Sequence, residues 1–221
     1  MKNWEAVKTD EDQLLQLKRL TCQGEGLQLE FKLKATHPEK IVREMIALAN
    51  THGGTVLIGV DDDGSISGLK YPEEEWMGVA ALVSNCKPPI PYHLSLIALP
   101  DHRFIIRLDI AESDRRPHLY TTREGSAETY VRVRDMSIKA SAEMEEIMRR
   151  QKKKKDIKFV YGEHEKLLME YLREHESISL EQFRSLTKLN RFKASRKLIL
   201  LTLANVITIT ASEKGDHYSR K

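Results

Sequence analysis

Apolar residues along this chain recur with two spacings, and each switch between them marks a new element. Leu14, Leu17 and Leu20 give a short helix over Gln13–Leu20 with an acidic first turn. Between residues 27 and 34 the period drops to two. Leu27, Leu29, Phe31 and Leu33 alternate with Gln28, Glu30, Lys32 and Lys34, which predicts a strand with one polar face. A helical stripe follows at Ile41, Met45, Ile46, Leu48 and Ala49, with Pro38 near its first turn. It ends in NTHGG, a tight turn whose glycines are free to take positive φ. TVLIGV then reads as a continuous apolar strand, and DDDGSISG as a polar turn into a second short one.

Further along, Glu73 to Ser84 predicts a helix stopped by Lys87-Pro88-Pro89. Residues 93–99 and 103–111 form a hairpin around Pro100-Asp101-His102. After a turn at Gly125 come the strand ETYVRVRD and a closing helix from Ser141 to Arg150. Beyond the linker QKKKKDIKF, Leu167, Leu168, Tyr171 and Leu172 mark a helix, and Ile178 a strand-like piece. Leu180 to Leu186 form a second helix, and Ala194, Leu198 and Leu201 the stripe of a third. Asn205 falls where that third helix should stop, since Asn tolerates a left-handed C-cap. VITIT and DHYSR complete a hairpin turning at Glu213–Gly215. Helix, strand, helix, turn, helix, hairpin is the order of a winged helix. The fold class expected is therefore α/β (α+β), a mixed-sheet domain followed by a small winged helix. The boundaries expected are 1–21 for an N-terminal helix, 22–150 for the α/β domain, 151–160 for a basic linker and 161–221 for the winged helix.

Composition narrows the class. With 40 % hydrophobic and 31 % charged residues, the chain has material for a real core and is not wholesale disordered. No apolar run approaches the roughly 20 residues of a membrane span, and the first residues lack the h-region of a secretory signal. A cytoplasmic protein without a membrane partner is expected. Cys22 and Cys86 stand far apart, outside any zinc spacing, and are expected to be reduced thiols. The net charge of +3 is unevenly placed: residues 151–221 hold 16 Lys+Arg against 9 Asp+Glu, and the rest 20 against 24. A basic tail on a mildly acidic body suggests a polyanion partner, although KKKK at 152–155 is equally consistent with a solvated linker.

The stretch GLQLEFK, the helix ending ALANTHGG, and TVLIGVDDDGSISG together resemble the Schlafen AlbA_2 domain. So does ESDRRPHLY followed by ETYVRVRDMSIKAS, where that family has its Arg-Pro and Tyr-x-Arg elements. The likeness covers roughly residues 22–150, with four elements in the same order. It implies a mixed-sheet α/β fold and nucleic-acid binding, often in proteins described as transcriptional regulators. Relatives from bacteria often carry a C-terminal winged helix or an ATPase module; the former is expected here and the latter is not.

The resemblance also implies a chemistry. Schlafen nucleases carry two Glu and an Asp at positions that match Glu25, Glu30 and Asp62, with Asp61 the alternative for the last. Such a cluster could hold Mg²⁺ or Mn²⁺ and activate a water against a phosphodiester. The competing reading is that Glu25 and the Asp61–Asp63 run simply face solvent at a strand start and a turn, which favours Asp before Gly. Placing Gly64 at the sixth position of an EF-hand puts Gly59 first and Lys70 twelfth, and neither is a ligand. Gly53-Gly54 enters a strand, unlike a Walker loop, so ATP binding has no support.

Basic residues supply the second constellation: Lys32 and Lys34 on the first strand, with Arg115, Arg116, Arg123, Arg132 and Arg134. Arg132 and Arg134 are two apart and would share one strand face, presenting two guanidinium groups to phosphate. The alternative is a solvated face of cross-strand ion pairs with Glu112, Asp114 or Glu128. On the third C-terminal helix, Arg191, Lys193, Arg196 and Lys197 lie off the apolar stripe and would point at nucleic acid. Ile199, Leu200 and Leu203 lie off it too, which suggests burial against the first domain or a second subunit, and a homo-oligomer is expected. None of the eight histidines falls at metal spacing. The function expected is nucleic-acid binding that needs no cofactor, on DNA in preference to RNA, in a DNA-binding transcriptional regulator. A divalent-metal-dependent endoribonuclease using Glu25, Glu30 and Asp62 is the alternative.

Overall fold

The computed structural model describes residues 8–122, 124–151 and 160–221. They fall into two compact units, the first ending at Ser137 and the second beginning at Ile138.

In the first unit, helix α1 (Glu11–Gln23) starts where Asp10 accepts hydrogen bonds from the Asp12 and Gln13 amides. Strand β1 (Leu29–Lys32) is followed by α2 (Pro38–Asn50), β2 (Gly54–Ile58) and α3 (Pro72–Val83). The hairpin β3 (Tyr92–Ala98) and β4 (Phe104–Ile110) completes a four-stranded sheet of order β1-β2-β4-β3. Only β1 and β2 run parallel, with α2 as their crossover helix; the other pairs are antiparallel. The mixed α/β architecture is thus the one expected.

Period two along the strands divides the core. Leu29, Phe31 and Leu57 face one side, where Leu17 of α1 joins them. Val56, Ile58, Ile106, Leu108 and Ile110 face the other, under α2 and α3. Glu30 and Lys32 belong to that second side by the same alternation. The expected polar face of β1 is therefore not a solvated one: Glu30 is only 4 % exposed.

Beyond β4 the chain adds β5 (Tyr120–Thr121), β6 (Ala127–Glu128), β7 (Tyr130–Val133) and β8 (Met136–Lys139). Two expectations change here. The strand expected over 128–135 stops at Val133, and Arg134 takes a left-handed φ of 58° in the turn to β8. The short strand expected after DDDGSISG is reduced to single bridges, Val60 with Ile66 and Leu69 with Phe104.

The NTHGG turn is a packing device as well as a turn. Gly53 and Gly54 have φ of +67° and +152°. A Cβ on Gly53 would lie 2.7 Å from the Ile110 carbonyl oxygen, and one on Gly54 would run into the Gln28 backbone. The Asn50 side chain, 3 % exposed, donates to Thr129 Oγ1 and the Tyr130 carbonyl and accepts from the His118 amide. Thr51 Oγ1 accepts from the Arg132 amide. The end of α2 therefore holds β7 in place.

The second unit contains α4 (Ala142–Gln151), α5 (Glu163–Glu174), β9 (Ile178–Ser179), α6 (Leu180–Thr187), α7 (Arg191–Leu203), β10 (Ile207–Thr210) and β11 (His217–Arg220). Leu168, Leu172, Ile178, Phe183, Ala194, Leu198, Leu201, Ile207 and Tyr218 form its core. The three strands pair antiparallel in the order β10-β11-β9. Ser179 and Gln182 cap α6 reciprocally, Asn190 caps α7, and Asn205 leaves α7 with a left-handed φ of 64°.

Helix α4, read from sequence as the end of the first domain, lies in this unit and packs on α7. Ile199 is 8 % exposed within a single chain. Burial of Ile199 is therefore met within one chain, while Leu200 and Leu203 are half-buried. Among the described residues no helix is long and apolar enough to cross a membrane.

Backbone crowding at NTHGG gives a direct test. Gly125 also has positive φ (+82°) but nothing within 4 Å of its Cβ position. Gly125→Ala should therefore cost about 1–2 kcal/mol from φ alone. Gly54→Ala should cost clearly more, because the β1–β2 register must also shift. Urea unfolding of both variants measures the difference, and equal losses would contradict the close approach.

Candidate functional site

One buried guanidinium organises the first unit. The Arg132 side chain is 0 % exposed and every N–H of it has an acceptor. Nη2 lies 2.5 Å from Glu30 Oε2, and Nη1 lies 2.6 Å from Glu44 Oε2. Nε and Nη2 reach the Gly26 carbonyl at 3.1 and 2.9 Å. The other Glu30 oxygen is taken by Lys32 Nζ, which also donates to the Phe31 carbonyl at 2.8 Å. Ser137 Oγ donates to Glu44. Burial, then the adjacent Glu30 charge, push the Glu44 carboxyl above the ordinary glutamate range.

Arg132 is therefore not on an exposed binding face, and it does not share one with Arg134. Alternation within β7 turns it inward, while Arg134 lies past the strand end in a turn and is exposed. Arg116 is also committed. Its Nη1 donates to the Asn50 and Thr51 carbonyls at 3.3 and 3.4 Å, capping α2, and to Glu112 at 3.1 Å. Arg115 is exposed, and Arg123 lies outside the described residues.

Next to this network opens a cleft of about 610 Å³. Lys32, Lys34, Lys40 and Arg43 line it, with His37, Thr36, Tyr130 and Ser137, and two carboxylates, Glu44 and Asp62. Lys32 and Glu44 are paired within the network, which leaves Lys34, Lys40 and Arg43 against Asp62. None of those three cations is ion-paired among the described residues. Arg43 lies over the Tyr130 ring, 5.5 Å from its centroid, and its buried Nε has no hydrogen-bond partner. The cleft thus carries excess positive charge on a wall of mixed polar and apolar character.

From the expected site residues, the fold gathers Lys32, Lys34 and Asp62 here. Lys40, Arg43 and Glu44 were missed. Their signal was available: they are spaced 40, 43, 44 on the polar side of α2, beside Ile41, Met45 and Ile46.

The carboxylate trio is close enough to interact. Burial raises the Glu25 pKa first, the Phe31 amide opposes it, and the Glu30 and Asp62 charges add smaller upward pushes. It does not fit a metal ion as it stands. Both Glu30 oxygens are held by Arg132 and Lys32, and Glu25 Oε1 accepts from the Phe31 amide at 2.9 Å. No group of three or more carboxylate, His or Cys side chains able to hold a metal gathers among the described residues. Asp61 and Asp63 serve the turn, accepting from the Asp62 and Ser65 amides.

In the second unit, the basic face of α7 is split. Lys197 pairs with Glu165, and Arg191 reaches Glu181 at 3.3 Å and the buried Glu143 at 3.9 Å. Lys193 and Arg196 are exposed and unpaired among the described residues.

A mixed four-stranded sheet with a βαβ crossover, a buried arginine network and an adjoining basic cleft defines an α/β domain built to present cations beside its first strand. The chain belongs to the Schlafen AlbA_2 family, whose model matches residues 25–141. No curated protein matches it at a significant level. Among solved structures, the N-terminal domain of a RecG-related protein from Nitrosomonas europaea is 21 % identical over 57 % of this chain and 88 % of its own, with a TM-score of 0.43. The DIP2311 protein from Corynebacterium diphtheriae is 14 % identical over 93 % of this chain, which spans 38 % of it, with a TM-score of 0.42.

Two outcomes are expected of the network. Removing the guanidinium in Arg132→Ala leaves Glu30 and Glu44 buried without their shared partner and should cost about 3–5 kcal/mol. Arg134→Ala should stay within about 0.5 kcal/mol, being exposed. Chemical denaturation of each measures this, and a mild Arg132→Ala would mean the network is dispensable. The second outcome concerns pH. A Glu44 pKa raised in the fold means that the native state holds that proton more tightly than the unfolded chain. Its contribution is full below the unfolded value of about 4.3 and lost as pH rises through the folded value. Glu44→Gln should flatten that decline in a pH series of melting curves, and an unaltered slope would contradict it.

Proposed function

We propose that the chain is a nucleic-acid-binding protein that grips phosphate backbone in the cleft beside β1. The observation that carries this is the set Lys34, Lys40 and Arg43, three cations without an ion-pair partner among the described residues, on one concave wall. Unpaired cations lining a cleft favour a polyanion over a small neutral ligand, because each phosphate contact releases condensed counterions. Family membership supports the same direction.

The second unit, on this proposal, is a winged helix that adds a DNA contact. Its order of helix, strand, helix, helix and two-stranded hairpin supports this, as do the exposed Lys193 and Arg196 on the third helix of that series. DNA is favoured over RNA for that reason, and DNA-binding transcriptional regulation is the role that fits binding without chemistry on the strand. The ion-paired state of Glu30 gives the nuclease alternative no support of its own.

Fluorescence anisotropy of the full chain with a labelled duplex, followed across a salt series, tests the proposal. Log affinity should fall linearly with log salt. Lys34→Gln with Lys40→Gln should weaken binding uniformly and reduce the slope by roughly 2, or about 1 per contact. Lys193→Gln with Arg196→Gln should do the same independently if α7 contacts DNA. Melting temperatures should hold, because these side chains are exposed. A slope unchanged by the first pair would remove the cleft from the interface.

A further inference from the structure

We infer that Phe192 is a stacking platform for an unpaired nucleobase, placed beside the cations of α7; the inference rests on the nucleic-acid-binding proposal above. Phe192 is 74 % exposed, whereas Phe183, the other Phe among the described residues of that unit, is fully buried. A large ring left in water at a helix surface gains nothing for the fold, since burying it would be worth a few kcal/mol. Its surroundings are charged rather than apolar: Lys193 follows it, and Arg196 lies one helical turn along the same face. That company disfavours an apolar protein surface and favours a polyanion that carries flat apolar faces, which is the chemistry of nucleic acid.

The backbone that carries the ring is also anchored. Asn190 caps the helix through the Lys193 amide at 2.9 Å. Arg191 is tied to Glu181 of α6 and Glu143 of α4. The backbone at Phe192 is therefore anchored from both neighbouring helices, and little ordering is left to be done on binding.

An unpaired base is the favoured occupant over a duplex step. Inserting a ring into a duplex must first unstack two base pairs, whereas a single-stranded base offers its face at no such cost. Lys193 and Arg196 would meet the phosphates flanking the stacked base.

The test compares two ligands with the full chain: a short blunt duplex, and the same duplex with a single-stranded tail. Stacking on one base should give the tailed ligand about ten-fold tighter binding. Phe192→Ala should erase that preference while duplex affinity and melting temperature hold, and Phe192→Trp should keep it. Duplex binding without a tail preference, or a preference that survives in Phe192→Ala, would overturn the inference and leave the nucleic-acid proposal standing. Equal weakening on both ligands in Phe192→Ala would place the ring against paired DNA and overturn it too. Binding to neither ligand would overturn the proposal itself.

Discussion

Burying a guanidinium between two carboxylates is the constraint from which the first unit takes its shape. Arg132, Glu30 and Glu44 come from β7, β1 and α2, three elements remote in sequence. None of them could be desolvated alone; an unpaired buried ion would shift its pKa or unfold its surroundings. Their mutual satisfaction, completed by the Gly26 carbonyl and Ser137, requires all three elements to be docked at once. Asn50 and Thr51 enforce the same docking through the backbone of His118, Tyr130 and Arg132. The network thus specifies one arrangement, whatever its net contribution to stability.

The cleft is a consequence of that arrangement. Once Lys32 is drawn to Glu30 and Glu44 to Arg132, the cations just past β1 and along α2 are left without ion-pair partners among the described residues. Lys34, Lys40 and Arg43 then line a concavity where their charge is little compensated. A surface of this kind attracts phosphate by long-range field and holds it by direct contact, and both effects weaken with salt. The first unit spends its buried charges on architecture and leaves Lys34, Lys40 and Arg43 at the wall of the cleft.

Much of this was legible in the chain. Periodicity located α2, β2, the β3–β4 hairpin and the helices of the second unit, because one-sided burial imposes a spacing that local sequence must obey. The NTHGG glycines announced a positive-φ turn and take one. What could not be read was which charges are buried. Arg132 and Arg134 look equivalent in YVRVR, yet one ends inside an ion network and the other past a strand end. Glu30 reads as half of a polar strand face, and only the approach of β7 from a hundred residues away converts it into a core group. Pairing across such distances has no periodic signature. Likewise, that α4 packs on α7 is a tertiary fact with no local signature.

The central claim is that the uncompensated cations beside β1 are where phosphate binds. A heteronuclear NMR titration of the full chain with a short oligonucleotide tests it residue by residue. The account predicts that the amides of residues 33–43 shift together and saturably, with those on β3 and α3 unmoved. Shifts confined to α3 or the β3 edge, with residues 33–43 silent, would contradict it.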